Sequence, residues 1–336
     1  MTHKSTLAAL LMALTASAGC NSNDLKDKLY LDDQWNVIQS PEKASYYRMY
    51  NASDKSEGPK PFRDYYMSGV LQSEGNYLTM DASNNMAIKV DGLINFYTEK
   101  GVKYIVSNYK NGIMHGTSTN YDRETGKLYS VEEYRNDTLF TVTKYDESGR
   151  TTDEYTRITD SLTKVILYDY DDKGDLQYKA LGEIDANNKR QGYWEVYEFC
   201  GNSWDTIRKY SFVDDMLEGQ AVQKELSSET EATGNYTHDE KTGTWTYTYF
   251  YDKCKQVTNY DNSKEPTRFY TLDGKPFTGR HTETMELNEG ENADDAEDTK
   301  TITVKNSYIQ DVTYTNSKSG KVMRTIKYKN GLPADK

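Results

Sequence analysis

A tyrosine followed within a few residues by a tight turn recurs along this chain, and that beat limits the fold before any single residue is considered. The clearest copies lie between Tyr97 and Asp137, where Tyr97, Tyr109, Tyr121 and Tyr134 are spaced 12, 12 and 13 residues apart. Each precedes a turn signal: Gly101, Gly112, Gly126 and Asn136-Asp137. Between the turns the residues alternate, as in Tyr104, Val106 and Asn108 against Lys103, Ile105, Ser107 and Tyr109, which is the period of a strand. The units continue as YDESG (145–149), YDDKG (170–174), YEFCG (197–201), YDKC (251–254), YDN (260–262), YTLDG (270–274) and YKNG (328–331). The expected fold is all-β: an elongated, twisted ladder of antiparallel β-hairpin repeats, with no significant helix beyond the N-terminal segment. Each unit would touch mainly its neighbours.

A second signature interleaves with the first. Glycine opens a strand and an aromatic follows, as in Gly192-Tyr193-Trp194…Tyr197 and Gly243-Thr244-Trp245…Tyr247. In GTWTYTYFY (243–251), alternation places Trp245, Tyr247, Tyr249 and Tyr251 on one face. Composition agrees with a structure rich in surface. Hydrophobic residues make up 35% of the chain, against roughly 45–50% in an average soluble domain, and 30 residues are tyrosine. A tyrosine can lay its ring on a sheet while its hydroxyl stays in water. The net charge of −12 comes without a basic stripe, which argues against nucleic acid as a partner.

The termini and irregular stretches suggest a division of labour. Residues 1–19 carry Lys4 and the short apolar run Leu7–Ala16, the pattern of a secretory signal too short to span a membrane. Ala18-Gly19-Cys20 resembles the bacterial lipobox, which implies acylation of Cys20 and an outer-membrane lipoprotein of the cell envelope. Residues 20–34 then read as a polar tether, 35–62 as a lead-in segment and 63–336 as the repeat domain. A seam is expected near 225–235, where ELSSETEAT (225–233) loses the beat. The acidic stretch 287–300 reads as a flexible insertion.

The cycle of Tyr-x-x-Gly, strand and Gly-x-Trp resembles the MORN-variant repeat of bacterial proteins often labelled YwqK-family antitoxins. RDYYMSGVLQSEG (63–75), YKNGIMHGTSTNYD (109–122), KRQGYWEVYEFCGN (189–202) and EKTGTWTYTYFYD (240–252) carry the resemblance. It implies a ladder of β-hairpins without a catalytic centre. Tyr145-Asp146-Glu147-Ser148-Gly149-Arg150 is also similar to the YD repeat of Rhs-type shells.

Little else points to chemistry. His115, His238 and His281 are each expected beside a turn, and none stands at metal-ligand spacing from another. Asp169–Asp175 fails as a calcium loop, because Lys173 and Ala180 occupy ligand positions. No metal or other cofactor is expected. Cys200 and Cys254 are expected at turn tips about four strands, or ~19 Å, apart, too far for a bridge that needs ~7 Å, and should be free thiols or form an intermolecular bond. Thr138, Ser161 and Thr206 follow Asp and precede Leu or Ile, resembling a periplasmic O-glycosylation motif. The chain therefore reads as a non-enzymatic, lipid-anchored scaffold for envelope protein partners. The alternative is a carbohydrate-binding module in which exposed Trp194, Trp245, Tyr197, Tyr247 and Tyr249 form stacking platforms. Packing against neighbouring hairpins is the competing use for those aromatics.

Overall fold

The computed structural model describes residues 25–285 and 298–334. The chain divides into two compact units, Met1–Arg150 and Thr151–Lys336. Both are all-β. Twenty-seven strands run through the described residues in antiparallel pairings, and the one helical turn among them is 3-10, Pro41–Lys43. The hairpin ladder expected from the repeat is the architecture observed.

Turn chemistry sets the beat. Within the first unit, Gly92–Tyr97, Lys103–Lys110, Ile113–Tyr121 and Leu128–Arg135 pair in succession. Asn111-Gly112 and Asn136-Asp137 have positive φ at both positions, the two-residue turn whose twist matches a hairpin. Asp214-Asp215 and His238-Asp239 make the same turn in the second unit without glycine. Asn, Asp and His tolerate the left-handed region better than other side chains do. The Tyr-Asp turns use a different device. Asp146 accepts the backbone N–H groups of Ser148 and Arg150, and Asp171 those of Lys173 and Asp175. The backbone N–H of Arg150 is the main reason the Asp146 carboxyl titrates below its usual range. Other turn aspartates reach the adjoining hairpin. Asp137 accepts the N–H of Met114, Asp215 that of Arg190 and Asp239 that of Leu217, at 2.6, 2.9 and 2.7 Å.

The core of each unit is assembled from neighbouring strands. Tyr50, Phe62, Tyr77 and Ile94 form one cluster in the first unit. Beside it Arg48 is fully paired: Nε and Nη2 hold Asp64 at 2.7 and 2.8 Å, and Nη1 donates to Asn85 at 2.8 Å. In the second unit two tryptophans are seated identically. Trp194 lies against Gly182 of the adjoining strand and donates through Nε1 to the Glu183 carbonyl at 3.2 Å. Trp245 lies against Gly234 and donates to the Asn235 carbonyl at 3.0 Å. In both places the ladder register shifts at the glycine, and the Gly two residues before each Trp has φ +62°. The Gly-x-Trp signature is thus a bulge that tips an indole onto the neighbouring backbone.

Several expectations are corrected. The fold starts inside the 20–34 tether: Asp27–Leu31 is a strand paired with Val37–Ile38 and Tyr46–Tyr50, and Leu31 is completely buried. The alternation of Leu29 and Leu31 with polar neighbours, and a partner strand on each side, suffice to order it. No seam lies near 225–235. Gly219–Glu225 and Thr230–Thr237 pair without a break from Gly219↔Tyr236 to Glu225↔Thr230, because a strand with two half-exposed faces does not need apolar alternation. Residues 286–297 lie outside the described residues, but the end of the 287–300 insertion is ordered. Thr299 and Lys300 begin the strand Thr299–Lys305, and Asp298 accepts both the N–H and hydroxyl of Ser317 at 2.6 Å. The strand Glu240–Tyr249 ends before Tyr251, which sits in a turn and is 86% exposed.

The simple succession breaks near the C-terminus. Arg268–Thr271 pairs with Cys254–Asn259, whereas Gly279–Thr284 pairs with Thr299–Lys305, and Tyr308–Thr315 reaches back to Arg268. These two sets of strands share a core of Cys254, Phe269, Ile302, Val304, Ile309 and Val312.

A Cβ added at Gly182 or Gly234 would lie 2.0 or 2.3 Å from the indole, so the ring must move. Gly182→Ala and Gly234→Ala are each expected to destabilise the second unit by about 1–3 kcal/mol, read from urea unfolding midpoints. Variants as stable as the wild type would show that the indoles are not held on these glycines.

Candidate functional site

Four consecutively paired strands of the second unit form a hollow of about 310 Å³: Trp204–Val213, Gly219–Glu225, Thr230–Thr237 and Glu240–Tyr249. Its axis is a row of directly opposed residues, Arg208↔Gln223↔Ala232↔Tyr247. Opposed residues project from the same face, and three steps of ~4.8 Å make the row roughly 14 Å wide. The small side chain of Ala232 leaves the depression, and Tyr210 and Tyr249 complete its walls. Gln223 donates from Nε2 to the hydroxyls of Tyr210 and Tyr236 at 3.2 and 3.1 Å. Tyr247 is fixed by its hydroxyl, 2.7 Å from that of Tyr260 and 3.0 Å from Lys241 Nζ. Burial pushes the phenols of Tyr247 and Tyr249 up, and the nearby Glu283 charge adds to the effect at Tyr249, so both remain neutral hydroxyls.

A larger cleft of about 600 Å³ lies beyond Tyr249, between the hairpin tip 227–230, the turn after Tyr249 and the strand Gly279–Thr284. His281 stands at its base, 2% exposed and in mid-strand rather than beside a turn. Its Nδ1 faces the Asp252 carboxylate, its Nε2 lies 3.1 Å from Glu283, and the Tyr249 ring packs against it. Glu283 also receives Lys300 at 2.7 Å and the Tyr249 hydroxyl at 3.2 Å. Burial alone would raise the Glu283 carboxyl. Hydrogen bonds from His281 and Lys300, and the charges of those groups, outweigh it and bring the pKa down to about 2. Both ring nitrogens of His281 are engaged, which leaves no free lone pair for proton abstraction or metal ligation. No group of metal-binding side chains occurs among the described residues.

The structure brings together only part of the predicted surface. Tyr247 and Tyr249 line the 310 Å³ hollow. Trp245 is 0% exposed and Trp194 5%, so an exposed indole platform is ruled out for both. Burying an indole on a glycine removes a large apolar area from water, which a sheet with few aliphatic residues can use to build its core. Tyr197 lies opposite Lys179 and Thr206, on the other face from Trp194, with its hydroxyl on Glu195 at 2.5 Å. Arg208, Tyr210, Gln223 and Ala232 were not anticipated. They are scattered in sequence, and only the register of two hairpins aligns them. Cys20 lies outside the described residues. No protein-family model matches the chain, and no curated protein does so either.

Two measurements follow. Glu283 has a folded pKa of about 2 against an ordinary 4.5, so its stabilisation is fully present above about pH 5 and is lost as pH falls from 4.5 towards 2. The stability difference between wild type and Glu283→Gln should be about 3 kcal/mol near pH 7 and shrink steadily below pH 4.5. A difference independent of pH would refute the network. Cys200 is exposed and Cys254 buried, both free, and burial followed by the Asp252 charge pushes the Cys254 thiol up to about 11. Maleimide should label Cys200 in the native protein and Cys254 only after unfolding.

Proposed function

We propose that this chain is a non-enzymatic, lipid-anchored envelope protein whose hairpin ladder serves as an interaction scaffold. The observation that carries the reading is the pattern of exposed aromatics on sheets where many tyrosine hydroxyls are held by carboxylates. Tyr129, Tyr193 and Tyr251 are each more than half exposed. Elsewhere on the sheets, tyrosine hydroxyls donate to carboxylates, as in Tyr97 to Glu74, Tyr134 to Glu132 and Tyr168 to Glu154. Burial and those carboxylates raise all three phenols to about 12, so they stay neutral. Rigid tyrosines on a regular surface are the residues that interfaces favour. The anchoring part of the reading rests on Lys4, the apolar run Leu7–Ala16 and Ala18-Gly19-Cys20. The resemblance to MORN-variant repeats is consistent with the same organisation.

A second reading, carbohydrate binding, is favoured by the hollow along Arg208, Gln223, Ala232 and Tyr247. It shifts that activity from the tryptophans to a polar, aromatic-walled depression.

Cys20→Ser should move the protein from the membrane to the soluble fraction, and crosslinking of the wild type in its own membrane should capture a defined protein partner. A wild-type protein that is soluble, or membrane-bound without Cys20, would overturn the anchor. Crosslinking that returns no specific partner would overturn the scaffold.

A further inference from the structure

We propose that the hollow on the Arg208–Gln223–Ala232–Tyr247 row binds an acidic saccharide, with a sugar ring over Ala232 and its carboxylate on Arg208. The proposal rests on the carbohydrate reading and adds to it the charge of the ligand and the residue that recognises it.

Arg208 differs from the other half-buried arginines. Arg48, Arg63, Arg150, Arg157 and Arg190 each hold a carboxylate of this acidic chain. Arg268 lies over the Tyr308 ring, as the exposed Arg123, Arg135 and Arg324 lie over Tyr104, Phe140 and Tyr314, and Arg280, which has no such contact among the described residues, is exposed. The Arg208 guanidinium lines the hollow, is half-buried, and makes no ion pair, hydrogen bond or ring contact among the described residues. A guanidinium is always charged and offers a planar fork that matches a carboxylate. Partial burial strengthens its pull on an anion relative to a fully solvated side chain.

The rest of the hollow argues for a sugar. Its floor and walls belong to four strands already paired with one another, so their backbone groups are committed to the ladder. An extended peptide that adds itself to a sheet needs a free edge, which this face does not offer. Recognition must come from side chains alone. Tyr210 accepts from Gln223, which leaves its hydroxyl proton to donate to a ligand oxygen. Glu225 also lines the hollow, on the strand beside Arg208 and opposite Thr230, is held by the Ser227 hydroxyl at 2.9 Å, and can accept from ligand hydroxyls. Lys224 and Glu231 line it too but are paired with each other at 3.4 Å, which leaves Arg208 as the cation without a carboxylate. The volume of about 310 Å³ lies at the small end of the range for ligand sites.

The test uses the full chain and a hexuronic acid tetrasaccharide, with the same tetrasaccharide reduced at its carboxyl groups as the neutral counterpart. Titration calorimetry should show binding of the acidic form that weakens with added salt. Arg208→Gln should lose affinity about ten- to a hundredfold, the scale of one charge-assisted hydrogen bond, while keeping the wild-type urea midpoint. Ala232→Leu, which fills the floor, should abolish binding. Equal affinity for both forms, unaffected by Arg208→Gln, would overturn the acidic preference and leave the carbohydrate reading standing. Binding of neither form, here and across a wider glycan array, would overturn both. Acetate or a peptide carboxylate competing as well as the tetrasaccharide would show a plain anion site and overturn the proposal, as would full binding by Ala232→Leu.

Discussion

An indole laid across a glycine of the neighbouring strand is the contact on which the middle of the second unit depends. A chain with so few aliphatic residues cannot bury its sheet under a thick second layer. It buries aromatic area within the sheet itself instead. Trp194 on Gly182 and Trp245 on Gly234 do this with the same hydrogen bond to the following carbonyl and the same bulge two residues before the indole. Around each seat, Phe212, Tyr210, Tyr236 and Tyr247 pack edge-on or in parallel, which extends the buried area from hairpin to hairpin. Two residues before Gly234 on the same strand, the small side chain of Ala232 lowers the sheet surface and leaves the hollow.

Turn aspartates act across the same interval. Those that satisfy their own turn shape each hairpin, and those that reach a backbone N–H about two dozen residues earlier fix one hairpin against another. This explains why an acidic chain tolerates its charge. Many of its carboxylates are bound to backbone or to tyrosine hydroxyls rather than left to repel one another. Near the C-terminus the pattern gives way to a shared apolar core, and there His281, Asp252, Glu283 and Lys300 are drawn into one network. That network reads as cement for the junction, because its histidine has no nitrogen to spare.

Much of this was legible in the chain. The spacing of Tyr97, Tyr109, Tyr121 and Tyr134 identified four strands, and the Asn-Gly and Asn-Asp dipeptides identified their turns. Asp214-Asp215 and His238-Asp239 were harder, because no glycine marks them. The tether and the 225–235 segment depart from the expectation for different reasons: the short alternation of Leu29 and Leu31 is enough once strands pair on both sides, and the 225–235 hairpin is a polar strand pair that needs little apolar alternation. Arg48 and Asp64 gave no hint of their pairing until the register placed them opposite each other.

The sequence by itself determined the class of fold, the period of the ladder and the positions of most turns, since these depend on local conformational preferences within a dozen residues. Only the tertiary structure decided which aromatics are buried, that His281 is enclosed by acids, and that Arg208, Gln223, Ala232 and Tyr247 share a row. Those outcomes depend on strand register, which relates residues far apart in the chain. A shift of one residue in that register would send every one of these side chains to the opposite face.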